Sequence, residues 1–250
     1  MPIGAGHSDK RGHQPLIPPR VGPRPDPVPA EWADALRDVA LADISDAVGR
    51  LYTCESRLRP AYPGMKRVFG SALTVKAPPG DNWAVHGALA TAKAGDVLVI
   101  DWRDHRESCG AGVSALLPAI GRGLAGLIID GAWRDLPEVA AIGFPMILTG
   151  TSPFSPAKEQ FGEINVPVHV GGVIVEPGDL VIGDEEGVVV IPRTHVERVA
   201  TTLVPHHRLV DLSDAAADDN QEDVSRIARE YWHLFTQAGG TGDPALPDRQ

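Results

Sequence analysis

Cysteine is scarce in this 250-residue chain: Cys54 and Cys109 stand far apart, without metal-ligand spacing. A disulfide framework is therefore excluded as the source of stability, and both residues read as reduced thiols. Long basic blocks are absent and the formal net charge is -10, which argues against nucleic acid as a partner and reads as solubility. No run reaches the roughly 18 apolar residues of a membrane span. The opening "MPIGAGHSDKRGHQPLIPPRVGPRPDPVPAEW" lacks the apolar centre of a signal peptide. Together these absences predict a soluble, cytoplasmic protein with neither a membrane nor a nucleic-acid partner.

The hydrophobic content of 43% is enough for one sizeable core. Residues 1–29 are rich in Pro and Gly and poor in large apolar side chains, so they read as a disordered or wrapping tail. Residues 238–250 read as a second, flexible tail, which leaves 30–237 as a single domain with C-terminal helices. Its first stretch, "PAEWADALRDVALADISDAVGRL", has helical spacing, with Asp43 and Ser45 as cap-type residues between two short helices. Strand and helix patterns then alternate. "GSALTVKAP" is a strand, "NWAVHGALATAKAG" a helix closed by Gly95, and "DVLVID" a buried strand. "GVSALLPAIGRGLA" and "LPEVAAIG" are helical, and "GLIID" and "FPMILTG" are strands. "VPVHVGGVIVEPGDLVIGDEEGVVVIP" is nearly all strand with Gly, Pro and Asp turns, and the three acids of "GDEEG" read as a tight turn. "RTHVERVATTLVPHHRLVDLSD" and "EDVSRIAREYWHLFTQ" are helical. The fold class is α/β with a β-rich C-terminal half. "AGDVLVID" (94–101) and "PGDLVIGD" (177–184) echo each other, as expected of two buried strands entered by a Gly-Asp turn.

The segment "GLIIDGAWRD" (126–135) begins as an apolar run and ends in opposite charges. A strand ending at Asp130 and a positive-φ turn at Gly131 would place Arg134 and Asp135 outside a strand's carboxyl end, where α/β ligands collect. Arg134 offers a planar fork for a carboxylate or keto-acid oxygen. Asp135 offers a hard oxygen for a divalent ion, or alternatively a cap for the helix "DLPEVAA". In "PPGDNWAVHGAL", Asp81 or Asn82 opens a helix that carries His86, either as a plain cap or as a ligand loop. In "DWRDHRESCGAGVSALL", a charged stretch leads to Gly110 and Gly112 before a helix, where free backbone N–H groups can hold an oxyanion.

These motifs, in this order and spacing over roughly residues 35–200, resemble the RraA-like family, which includes 4-hydroxy-4-methyl-2-oxoglutarate aldolases and non-catalytic regulators of ribonuclease E. The resemblance implies a layered α/β/β/α sandwich similar to the swivelling phosphohistidine domains. It also implies trimers or hexamers with sites between subunits. It assigns Asp135 to Mg²⁺ or Mn²⁺ and Arg134 to a keto-acid substrate cleaved through a pyruvate enolate. The backbone at Gly112, Val113 and Ser114 adds enolate-stabilising amides, and Asp81, Asn82 and His86 border the pocket. The aldolases carry an acid where this chain has Val113, so another group must move the proton. His105 and Glu107 are the expected catalytic replacements, with Asp104 also nearby, and Asp211 or His207 is the expected contribution from a neighbouring subunit. The resemblance leaves open a non-catalytic binding protein, or an isomerase or hydratase, on the same scaffold.

Overall fold

The computed structural model describes residues 17–203, together with the isolated positions 233 and 237. The chain separates into one compact unit up to His206 and a second from His207 onward, a boundary inside the stretch 30–237 expected as one domain. His207, Asp211 and the tail 238–250 lie outside the described residues.

In chain order the elements are α1 (Ala30–Ala35), α2 (Leu41–Val48), β1 (Arg59–Pro60), β2 (Val68–Lys76), α3 (Trp83–Thr91) and β3 (Asp96–Cys109). There follow α4 (Val113–Gly121), β4 (Gly126–Trp133), α5 (Leu136–Ala141), β5 (Met146–Thr151) and β6 (Glu163–Ile164). The last are β7 (Val168–Val170), β8 (Val173–Val175), β9 (Leu180–Gly183), β10 (Val188–Ile191) and α6 (Val196–Leu203). The fold is therefore mixed α/β. No helix among the described residues is long and apolar enough to cross a membrane.

The main sheet has the order β1-β5-β4-β3-β2-β9-β10, with β6 on β2. Strands β2 to β5 are parallel neighbours, and β1, β6, β9 and β10 pair antiparallel. The parallel strands read as unbroken apolar runs because both faces are covered. Leu98, Ile100, Leu127 and Ile129 pack under α3, α4 and α5. Val97, Val99 and Ile128 alternate to the other face and meet the valines of the β7–β8 hairpin. A third cluster joins α1, α2 and α6 to β9 and β10.

Several expectations are corrected. Asp43 and Ser45 do not separate two helices. Both lie inside α2, where Ser45 Oγ bonds Thr53 Oγ1, and the break falls at residues 36–40. The helix of residues 82–95 ends at Thr91, and a separate turn carries Gly95. β4 does not stop at Asp130. It runs on to Trp133, and Gly131 pairs with His105 without a positive φ. β3 likewise continues past Asp101, because two register shifts bulge residues between 101 and 109 out of the ladder.

The echo of 94–101 and 177–184 has a local cause. Gly95 and Gly178 take φ of +81° and +85°, conformations that glycine adopts without strain. The next residue then turns its carboxylate back on the turn: Asp96 accepts from Lys93 N–H at 2.7 Å and Asp179 from Glu176 N–H at 2.9 Å. "GDEEG" is the tight turn expected, closed by Asp184 N–H on Gly187 O at 3.0 Å. The expected tail is described from Ile17 onward, and its residues 20–24 are tied to the same unit. Gly22 N–H donates to Ile164 O at 2.8 Å, and Arg24 pairs with Asp96 at 2.8 Å.

Asp130 belongs to this scaffold. Its side chain is 3% exposed and faces the hairpin, where it takes both arms of the Arg57 guanidinium and the Gly171 N–H at 3.2 Å. Removing one member of such a pair strands a buried charge. Arg57→Met is expected to cost about 3 kcal/mol in urea unfolding. Adding Asp130→Asn should recover part of that loss, and an undiminished midpoint in the single variant would contradict this account.

Candidate active site

β4 delivers Arg134 and Asp135 past the carboxyl end of the sheet. Asp135 stands in the left-handed region, φ 59° and ψ 35°, which Asp and Asn tolerate better than other side chains. It occupies the N-cap position of α5, yet its side chain makes no cap hydrogen bond. Instead Oδ2 accepts the Val113 N–H at 2.9 Å, across the turn that opens α4. Oδ1 is left with Arg134 Nε at 3.9 Å and accepts no hydrogen bond among the described residues. Arg134 Nη1 donates to Ser155 Oγ at 3.0 Å.

Gly112 lies between these two side chains. A Cβ added there would collide with Asp135 Oδ2 and sit 3.0 Å from Arg134 Nε. The neighbouring turn receives Asn82, which is 2% exposed and donates Nδ2 to Gly110 O at 2.8 Å. His86, one helical turn on, brings Nε2 to 3.3 Å from the same Nδ2. Burial and the nearby Lys158 ammonium both push the His86 imidazole below its ordinary value.

Three buried side-chain atoms lack a hydrogen-bond partner among the described residues: Asn82 Oδ1, Trp133 Nε1 and Arg134 Nε. Two of them border one turn. Asn82 is bonded to Gly110, and Arg134 Nε would lie 3.0 Å from a Cβ on Gly112. Buried polar groups are ordinarily paired, so an acceptor and a donor left open beside one turn favour a polar ligand there.

The other expected residues take different positions. Asp81 commits its carboxylate to backbone, accepting the N–H groups of Trp83, Glu159 and Gln160 at 3.1, 2.6 and 2.9 Å. Val113 has its N–H engaged by Asp135, leaving Gly112 and Ser114 of the three amides expected to serve a ligand. His105 lies on the bulged part of β3, with Nε2 2.9 Å from Ser108 Oγ and its ring tilted against Trp102. Glu107 is exposed, and Asp104 pairs with Arg106 and Arg57. None of these three bonds Arg134 or Asp135 among the described residues.

Ser155 and Lys158 were missed by the sequence reading. Burial pushes the Cys109 thiol up, while the charges of Arg134 and Lys158 pull it down and that of Asp135 adds to the rise. The available signal was "TSPFSPAKEQF", the polar loop after β5, the parallel neighbour of β4. A separate cavity of about 390 Å³, roofed by Arg24, Pro25 and Val28, lies at the opposite, amino end of β2 and β3 and holds none of the site residues.

The family model described as RraA-like, Aldolase/RraA, matches residues 41–190, which include every residue of this site. The chain belongs to the RraA-like family. A relative from Halalkalibacterium halodurans, provisionally named a 4-hydroxy-4-methyl-2-oxoglutarate aldolase, is 40% identical over 190 residues, covering 76% of this chain and 90% of its own. A solved structure from Streptomyces coelicolor, described as an unusual member of the RNase ES inhibitor RraA family, is 28% identical with a TM-score of 0.65. It covers 77% of this chain and 98% of that one. Another, described as a dimethylmenaquinone methyltransferase from Geobacillus kaustophilus, is 36% identical with a TM-score of 0.57, covering 62% and 95%. Relatives of this chain thus bear three different named activities, so function must be argued from the site.

Proposed function

We propose that this RraA-like protein is a cytoplasmic, divalent-metal-dependent lyase. It cleaves or decarboxylates a small 2-keto acid with a second carboxylate, through a pyruvate-type enolate. The observation that carries this reading is the set of unpartnered atoms around Gly110–Gly112, beside the open oxygen of Asp135. The donor set suits Mg²⁺ or Mn²⁺. Among the described residues no group of three His, Cys, Asp or Glu could hold a metal, and the open oxygen of Asp135 is the anionic donor at this turn. Mg²⁺ is commonly held by one or two carboxylates with water and substrate completing the shell. When bound, the ion supplies Lewis-acid stabilisation of the oxygen on which enolate charge develops.

The chain's own residues supply the rest. Arg134 Nε donates to the keto-acid end, and its fixed positive charge stabilises the enolate left when the carbon–carbon bond breaks. Asn82 Oδ1 accepts from a substrate hydroxyl. Amides at Gly112 and Ser114 add donors to the developing anion. Val113 has no ionisable group, so that role falls to His105 or Glu107, or to His86, whose neutral form is favoured by burial and by the Lys158 charge. With side chains 39% and 34% exposed, Arg134 and Asp135 form an open face that a neighbouring subunit of a trimer or hexamer completes. The layering of helices, main sheet and β7–β8 hairpin supports the swivelling phosphohistidine-like arrangement.

Pyruvate release is the test, coupled to lactate dehydrogenase, from 4-hydroxy-4-methyl-2-oxoglutarate and from oxaloacetate, with Mg²⁺ and then EDTA. EDTA-sensitive release from either substrate is expected. The apolar Val113 beside Asp135 favours a second reading, a non-catalytic binding protein. Silence on both substrates, in protein that binds Mg²⁺, would leave that one standing.

A further inference from the structure

The cavity of about 390 Å³ at the amino end of β2 and β3 follows from the sequence of its roof. Pro23, Pro25, Pro27 and Pro29 alternate there. Proline has no N–H to give a β-ladder and stiffens an extended chain, so this strap bridges the sheet end rather than settling onto it. It is anchored on both sides. Gly22 N–H donates to Ile164 O at 2.8 Å, and Arg24 bonds both oxygens of Asp96 at 2.8 Å. Further on, Pro25 rests on Gly178, where an added Cβ would fall 2.5 Å from its ring, and Val28 packs with α1 into the third core cluster. Under the strap, Phe69 and Leu180 form an apolar floor and Ala33 of α1 a wall. Ser71 and Lys93 also line the space. Ser71 N–H donates to Gly95 O at 3.0 Å and Lys93 N–H to Asp96 at 2.7 Å, so their backbones meet at the one turn 93–96.

We propose that this cavity is a second ligand site, for a small amphipathic monocarboxylate whose apolar body lies on Phe69 and Leu180 and whose carboxylate meets Ser71 and Lys93. It stands apart from the keto-acid reading and does not depend on it. The volume is that of a small-molecule pocket, mostly apolar with a few polar groups to orient the ligand. Those polar groups choose the head. Both acids of the lining are engaged, Asp96 by Arg24 and the Lys93 N–H, and Asp34 by Arg37 at 2.5 Å. The Ser71 hydroxyl, the Lys93 ammonium and the Asn165 side chain bond nothing among the described residues. The open capacity is therefore richest in donors, and the ligand's head must supply acceptors. Just outside the lining, Asp26 and Glu176 are exposed, and Asp179 gives its carboxylate to the N–H groups of Glu176 and Arg193. Arg193 itself stands beside Gly178. No surplus of positive charge draws the anion, then. The open donors at the 93–96 turn fix which end of it enters there.

The test is titration calorimetry of the full chain in EDTA, with octanoate, 1-octanol and octylammonium as probes. Octanoate is expected to bind about 5-fold more tightly than octanol, the upper range for a contact with a solvent-exposed ammonium, and octylammonium more weakly than either. Lys93→Met should erase the preference for octanoate while holding octanol affinity within about twofold, and Lys93→Arg should restore it. Ala33→Phe fills the space and should abolish binding of all three, with its melting temperature showing that the fold is kept. In amide NMR spectra octanoate should move Ser71 and Gly95 and leave Gly112 and Ser114 in place. Equal affinities for octanoate and octanol in the wild type would remove the carboxylate from the proposal. Shifts confined to Gly112 and Ser114 would move the ligand to Arg134. No binding at about 1 mM, or binding retained in Ala33→Phe, would leave no ligand site under the strap. Each of these results overturns the proposal, and none of them touches the lyase reading.

Discussion

Asp135→Asn is expected to lower kcat/KM for metal-dependent pyruvate release on the order of 1,000-fold, with the fold unchanged. Asparagine is the informative replacement. Asp135 holds φ at 59°, a conformation that Asn shares and Ala adopts only at a cost of about 1–2 kcal/mol. The Asn carbonyl oxygen can still accept the Val113 N–H now held at 2.9 Å. Only the charge is removed, so a loss of turnover reports on the anionic oxygen itself. Two readings decide the matter: initial rates across a Mg²⁺ titration, and the melting temperature with and without Mg²⁺. The wild type should be stabilised by the ion, by about 2.7 kcal/mol at one hundred times its dissociation constant, and the variant should not. Full turnover in Asp135→Asn would take the metal away from this residue.

Arg134 and Asp135 were legible in the sequence because two opposite charges ended an apolar run, and a buried strand has no use for such an ending. The details around them were less so. The strand was expected to end at Asp130, yet it runs on with that carboxylate inside a parallel sheet, where burial is costly. That cost is offset by Arg57, 73 residues away in sequence, and by the hairpin amide of Gly171. No local pattern announces so distant a partner. Asp81 was read as a ligand candidate for a similar reason. A cap-type residue at a helix start looks the same whether its carboxylate faces a ligand or, as here, the amides of Glu159 and Gln160. That "DVLVID" is a buried strand was legible; that Leu98 and Ile100 face the helices and Val97 and Val99 the hairpin is what the structure adds. The place of Ser155 beside Arg134 was not legible, because it comes from a loop whose position depends on strand order rather than on its own composition.

Gly112→Ala is expected to lower kcat/KM by about 100-fold without unfolding the protein, the scale of one misplaced electrostatic group. The backbone there is extended, φ −119° and ψ 178°, so alanine meets no conformational penalty. The new methyl instead collides with Asp135 Oδ2 and crowds Arg134 Nε at 3.0 Å. A short carboxylate fixed to the Val113 N–H cannot swing far, so it must leave its present position or push the α4 turn aside. Either movement separates Asp135 from Arg134. This mechanism makes a sharper demand than a simple loss of rate. If Gly112→Ala acts by displacing Asp135, the two substitutions are strongly non-additive, and Gly112→Ala with Asp135→Asn should be no slower than Asp135→Asn alone. Additive losses in the double variant would mean that Gly112 acts through its own close approach to the substrate. The methyl would then be excluding the ligand itself, and KM would rise while kcat held.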